Sequence, residues 1–350
     1  MHLRRILGLL GEHKVLTTQQ IAAAEFASVR RTQDRLAQLR RLGVLFSFRE
    51  SYRDGGISQT RFALGYLGAR AIAAQRAGKP PTRPAHQRML ERLAWWPKLD
   101  HHLGVNGFFC ELAGYARRIR NDAREATGSD ADACGLRQWW SEQRCTGFFW
   151  NSTVKLYPDG YGCWAENGQW VRFFLEYDTG TEALSKVTRK IADYSTFPTD
   201  SFGILLFSVH SAKRERALRQ ALRRTVGTAR PPLVIATTPR DQAHPDGPAG
   251  PVWALWGPGS DDAVARRYRL AELPQRGPYI EPHAPWLGQP YSEAAFDPMD
   301  RELVGLAENR PPVTVSTHHP KPEARGGDNL DDEVMLYDDD LNDEYEQRIA

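Results

Sequence analysis

Pro158-Asp159-Gly160 is followed, seventeen positions after the aspartate, by a run opening at Glu176: Glu176-Tyr177-Asp178-Thr179-Gly180-Thr181-Glu182. The neighbouring segments Val154–Tyr157 and Val171–Tyr177 are apolar and rich in β-branched and aromatic residues, so both read as buried strands. An acid just past one strand and a second at the end of the next can converge on one point. Two converging carboxylates are what a hard divalent cation such as Mg²⁺ requires. That cation activates water and neutralises phosphate charge in phosphodiester cleavage. The centre of the chain thus has the residue types of a metal-dependent nuclease site taking Mg²⁺ (or Mn²⁺). Plainer readings compete: Asp159 before Gly160 as a turn former, Glu176 in a buried ion pair with Lys190, and Thr181 with Glu182 as a helix cap and first-turn acid. Glu142, Tyr194, His101 and His102 read, respectively, as a solvated helix-end acid, a core residue and two helix-end polar residues.

The elements expected to position these acids are a helix over Leu99–Ile119, the two strands, a helix over Thr181–Phe197 and an unbroken apolar strand Phe202–Val209. A basic helix Lys213–Val226 and strands Leu233–Thr237 and Val252–Trp256 follow, with a loop over residues 121–134. This order predicts an α/β sandwich with a mixed central sheet. Glu182, Lys186 and Lys190 share one face of the helix after the second acid.

Upstream, His2–His13 carries Leu3, Ile6, Leu7 and Leu10 at helical spacing. Thr17 or Thr18 can cap a short second helix, and Ser28 a third over Val29–Leu42, with Val29, Leu36, Leu39 and Leu42 directed inward. Arg30, Arg31, Gln33 and Arg35 lie on its outer face. Val44–Phe48 and Thr60–Leu64 form a hairpin around Asp54-Gly55-Gly56. Residues 1–79 carry fourteen Lys/Arg against five Asp/Glu, a net of +9. Residues 328–350 carry ten Asp/Glu against one Arg, a net of −9. That asymmetry, hidden in an overall +3, predicts a nucleic-acid-binding head and an acidic tail.

No run approaches the ~18 apolar residues of a membrane span, and the start lacks a secretory cleavage site. Cys110, Cys134, Cys145 and Cys163 show neither zinc spacing nor a disulfide framework. A cytoplasmic protein without a membrane partner is the expectation. Gly78-Lys79-Pro80-Pro81-Thr82-Arg83-Pro84 predicts an extended spacer. The expected division is therefore a head over 1–79, a linker over 80–88, an acid-bearing domain over 89–275 and a Pro-rich to acidic, disordered tail over 276–350. The tail can serve a basic protein partner, fold back on the head, or simply solubilise.

Three helices and a hairpin resemble a winged helix-turn-helix over nearly all of residues 1–79. The resemblance implies binding of double-stranded DNA, with Arg30, Arg31, Gln33 and Arg35 near the major groove and Arg49 and Arg53 on the wing near phosphates. The later order, with Pro158-Asp159 and Glu176, resembles the PD-(D/E)xK, restriction-endonuclease-like fold. There Asp178 stands where the pattern has lysine. Either Asp178 is a third metal ligand beside Asp159 and Glu176, or the catalytic lysine has moved to Lys190. Together with Trp139-Trp140-Ser141-Glu142 and Tyr194, these residues make the chain resemble, over about residues 1–275, the replication-relaxation family of actinobacterial plasmids and integrative elements. That implies a protein nicking or relaxing DNA at a plasmid origin or transfer site, or a non-catalytic initiator or regulator on the same scaffold.

Overall fold

The computed structural model describes residues 2–26, 28–50, 57–127, 134–149, 156–196, 204–226, 234–257 and 266–274. Arg53, the turn Asp54-Gly55-Gly56 and the tail over 276–350 lie outside the described residues.

The head contains α1 (His2–His13), β1 (Leu16–Thr17), α2 (Thr18–Glu25), α3 (Val29–Arg41), β2 (Leu45–Phe48), β3 (Arg61–Leu64) and α4 (Tyr66–Gln75). Thr17 caps α2 reciprocally: its hydroxyl accepts from Gln20 N at 3.2 Å, and Gln20 Oε1 accepts from Thr17 N at 2.9 Å. Ser28 precedes α3 in extended conformation, but its side chain makes no capping bond. Thr32, Leu36 and Leu39 form the buried stripe of α3, against Ile6, Leu10, Ile21 and Leu45. Val29 and Leu42, expected inside, are 48% and 59% exposed, because they lie at the helix ends beyond the reach of that core. Gly43, at φ 69°, supplies the left-handed turn from α3 into β2. The three strands pair antiparallel in the order β1–β3–β2.

The expected linker over 80–88 is not a continuous spacer. Pro80 and Pro81 do interrupt the chain, but α5 (Arg83–Ala94) begins within that stretch. Thr82 caps it by accepting from Ala85 N at 3.4 Å, and Pro84 sits in the first turn, where a missing N–H costs nothing. Leu90 of α5 packs with Val15, Ala63 and Leu99, so this helix clasps the back of the head.

Next come α6 (Leu99–Thr127), β4 (Cys134–Ser141), α7 (Glu142–Phe149), β5 (Gly160–Glu166), β6 (Gln169–Asp178), α8 (Leu184–Thr196), β7 (Ile204–Val209), α9 (Ala212–Val226), β8 (Ile235–Pro239), β9 (Trp253–Trp256) and β10 (Arg267–Tyr268). They form one seven-stranded mixed sheet in the order β10–β9–β8–β7–β6–β5–β4. Strands β4, β5 and β6 are an antiparallel meander, β6, β7 and β8 run parallel, and β9 and β10 reverse again. Helix α6 covers one face through Phe108, Phe109 and Leu112 against Phe173, Leu175 and Leu206. Helices α8 and α9 cover the other, with Val187, Ile191, Leu218 and Leu222 against Phe174, Leu205 and Phe207.

Two expectations shift. The helix expected over Leu99–Ile119 continues to Thr127 through part of the stretch read as loop. The strand expected at Val154–Tyr157 lies instead at Gly160–Glu166; Leu156 and Tyr157 are irregular, and 154–155 fall outside the described residues. The turn explains the shift. Asn167 and Gly168, at φ 52° and 75°, make the two-residue hairpin that joins β5 to β6 and sets their register from Glu166↔Gln169 to Gly160↔Leu175. Asp159 therefore precedes its strand, not follows one.

The head is bolted to this sheet. Asn106 of α6 donates to the carbonyls of His13 and Val15 at 3.2 and 2.9 Å, and Gln20 Nε2 donates to Leu103 O at 2.6 Å. His13 stacks on Trp139 of β4 at 3.7 Å, and Ser141 Oγ donates to Glu12 at 2.9 Å.

Candidate functional site

Alternation along β6 decides what its acids meet. Val171, Phe173, Leu175 and Tyr177 face α6, whereas Phe174 and Glu176 face α8. Glu176 is 3% exposed. Its Oε2 accepts from Lys190 Nζ at 2.8 Å and its Oε1 from Tyr194 OH at 2.7 Å. Lys190 and Tyr194, four residues apart, form one stripe of α8 and grip both carboxylate oxygens. Burial pushes the Glu176 pKa up to about 7, against the pull of Lys190 and with a push from nearby Asp159. Burial opposes the charge of Lys190, but Glu176, Asp159 and Glu182 (3.8 Å away) outweigh it and raise its pKa above the ordinary lysine value.

Asp159, at the head of β5, lies beside the end of β6 because Gly160 pairs with Leu175. Its Oδ2 accepts from Tyr177 N at 2.6 Å and lies 3.3 Å from His101 Nε2. Burial pushes this carboxyl upward, but the His101 charge, its hydrogen bond and Lys190 prevail and hold it at about 2. His101, in the first turns of α6, donates from Nε2 to the Tyr177 carbonyl at 2.9 Å. Asp159 lifts its pKa to about 9 in spite of burial. Glu142, first residue of α7, stands close enough to feel Asp159 and His101; burial and Asp159 raise its pKa.

Asp159, Glu176 and Lys190 are thus brought together. Asp178 is not among them. Arg214 of α9 takes both its oxygens at 2.7 and 3.0 Å, and Gly180 N donates to it at 3.1 Å. Arg240 donates to the Asp178 carbonyl at 2.8 Å and lies 3.7 Å over the Tyr177 ring, which rests against Gly104. His101 and Glu142 join the cluster although their sequence context resembled ordinary helix ends. Neither carries a spacing signal, since their partners come from strands far along the chain.

Among the described residues no group of three or more His, Cys, Asp and Glu side chains can hold a metal ion. Asp159 and Glu176 nevertheless form a two-carboxylate pair, and both protein contacts to Asp159 fall on Oδ2, leaving Oδ1 without a protein donor among the described residues. Two carboxylates suit Mg²⁺, which keeps several of its waters.

On the head, Arg30, Arg31 and Gln33 are exposed along α3. Arg35 is half-buried and donates to Gln38, and exposed Arg49 donates to Thr60 Oγ1 at 2.6 Å.

Architecture and cluster together define a mixed α/β protein whose buried acid–lysine pair sits near the C-terminal end of β6, behind a basic head of helices and a small sheet. The chain matches the replication-relaxation family over residues 7–201, more than half its length, and belongs to that family. Membership points to a role in plasmid replication or relaxation and to interaction with DNA. No curated protein matches the chain. No helix among the described residues is long and apolar enough to cross a membrane.

Proposed function

We propose that this protein docks on double-stranded DNA at a plasmid origin or transfer site and nicks it with a Mg²⁺-assisted (or Mn²⁺-assisted) centre built on Asp159 and Glu176. In this reading residues 1–79 are a winged helix-turn-helix, 89–275 a PD-(D/E)xK nuclease-like unit, and the setting is cytoplasmic. The observation that carries it is the convergence of Asp159, Glu176 and Lys190 on a helix–meander–helix–parallel-strand frame. The order β1–β3–β2 behind α3 supports the winged-helix assignment, with Arg30, Arg31, Gln33, Arg35, Arg49 and Arg53 as the DNA-contacting set.

Asp159 and Glu176 would hold the cation, which when bound supplies an activated water and charge neutralisation at the phosphate. Asp159 is kept ionised at neutral pH by His101. Lys190 keeps a positive charge at Glu176, where it can stabilise charge developing on the scissile phosphate. Tyr194 fixes the second oxygen of Glu176. Asp178 orients the end of β6 through Arg214 instead of facing the phosphate. Lys190 then takes the part of the lysine absent at position 178.

A second reading, a non-catalytic initiator or regulator, is favoured by one feature: Glu176 and Asp178 are both already paired with cationic side chains. The discriminating experiment incubates purified full chain with Mg²⁺ or Mn²⁺ and supercoiled plasmid carrying its own origin. Nicked circles are expected, and Asp159→Asn and Glu176→Gln should abolish them while leaving duplex binding intact. Arg30→Ala with Arg31→Ala should weaken that binding. Plasmid that stays supercoiled with wild-type protein, or variants that nick normally, would refute the nuclease reading.

A further inference from the structure

Trp95 closes α5 with its side chain 87% exposed, while Trp140, Trp164, Trp253 and Trp256 are fully buried. An aromatic of this size left in water forgoes a large burial gain. Arg88 and Arg92 precede it by seven and three residues, so helical geometry aligns all three on one face. Both arginines are exposed, and neither pairs with a carboxylate among the described residues. Glu91 shares this face, three residues from Arg88 and four from Trp95, and its Oε1 accepts from Gln87 Nε2 at 3.1 Å. The face therefore presents two free cations and a bare π surface in a line. Along the chain it leads into the carboxylate cluster: Lys98, three residues past Trp95, acts on Glu142, and His101, six past it, touches Asp159.

We propose that Arg88, Arg92 and Trp95 form a binding site for single-stranded DNA, with Trp95 stacking on an unpaired base and the arginines on adjoining phosphates. Inside a duplex both faces of each base are covered by its neighbours, so only an unpaired base can offer its face to Trp95. Arginine charge follows the backbone and aromatic stacking takes any base, the combination by which single strands are held without sequence preference. The site would hold a strand separated next to the centre described above. It rests on the DNA-processing reading for its setting, but on neither cation nor cleavage.

The test measures fluorescence anisotropy of a labelled oligo(dT) of about 16 nucleotides and of a duplex of equal length, with full chain in EDTA. Trp95→Ala should weaken single-strand binding about 5- to 140-fold and leave duplex binding within about twofold. Trp95→Phe should keep most of the affinity. Arg88→Ala with Arg92→Ala should reduce the salt slope for the single strand by about 1.4. Because Trp95 lies outside the core, its replacement leaves folding intact. Unchanged oligo(dT) affinity in Trp95→Ala, an equal loss on duplex, or no oligo(dT) binding by wild type would each overturn the proposal. A failure to nick in metal-containing buffer would leave it standing, so the two readings fail separately.

Discussion

Acid should loosen the seam between head and sheet, and His102 provides the measurable part. Its Nε2 donates to the His13 carbonyl at 2.7 Å, its ring packs on Trp96 at 5.0 Å, and Asn106 converges on the same carbonyl. Burial lowers its pKa from the ordinary 6.5 to about 4, helped by the charges of Lys14 and His101 and opposed by the hydrogen bond to His13. A histidine kept neutral in the fold binds fewer protons than in the unfolded chain. Stability from this group is therefore complete above about pH 6.5 and falls as pH drops, levelling off below about pH 4. At 1.36 kcal/mol per unit the full loss is about 3 kcal/mol, of which about 1.3 kcal/mol falls between about pH 7.5 and about pH 5.5. His13, buried in the same seam and also held well below its ordinary value by burial, adds to the drop in wild type. The assay is urea unfolding at both pH values for wild type and His102→Gln, which retains a donor near the Nε2 position but does not titrate. The variant should lose about 1 kcal/mol less than wild type over that interval. Equal losses in the two proteins would refute the assignment of a neutral, buried His102.

Two further substitutions probe the end of β6. Asp178→Asn leaves Arg214 facing a neutral amide in a partly buried ion pair, and urea unfolding should show a cost of about 3 kcal/mol or more without any metal present. Stability unchanged in EDTA would instead mark Asp178 as free to ligate a cation. Gly104→Ala places a Cβ 2.4 Å from Tyr177 Cε1, so the ring must leave its place under Arg240. The expected loss is about 1–3 kcal/mol in the same assay and, on the proposed nuclease reading, nicking should fall with it, because the Tyr177 backbone anchors both Asp159 and His101.

Much of the fold was legible along the chain. The central part of the α3 stripe (Leu36 and Leu39), the Thr17 cap, the apolar run of β7 and the spacing of Lys190 and Tyr194 follow from local periodicity and side-chain chemistry, and each appears where that chemistry puts it; Val29 and Leu42 do not, because the core ends before the helix does. Asn167-Gly168 was the available signal for β5, and reading it as a hairpin turn would have moved the strand from 154–157 to 160–166. Pro80 and Pro81 marked a break in the chain; Thr82 and Pro84, both helix-start residues, were the signal that α5 begins at Arg83 where an extended spacer was expected.

By itself the sequence determined that Glu176 would carry charge into the interior, since it stands inside the apolar run Val171–Tyr177, and it placed Asp159 and Lys190 in the loop and the amphipathic helix on either side. Their partners were decided only by tertiary packing. Asp178 lies two residues from Glu176 on the same strand, yet it meets Arg214 of α9 while Glu176 meets Lys190 and Tyr194 of α8, because successive helices cover successive stretches of one sheet face. His101 looked like an ordinary helix-end residue until the docking of α6 on the opposite face brought its Nε2 to Asp159. Periodicity fixes the face on which a side chain emerges. The crossover connections of the mixed sheet determine what waits there, and those contacts span intervals that no local pattern encodes.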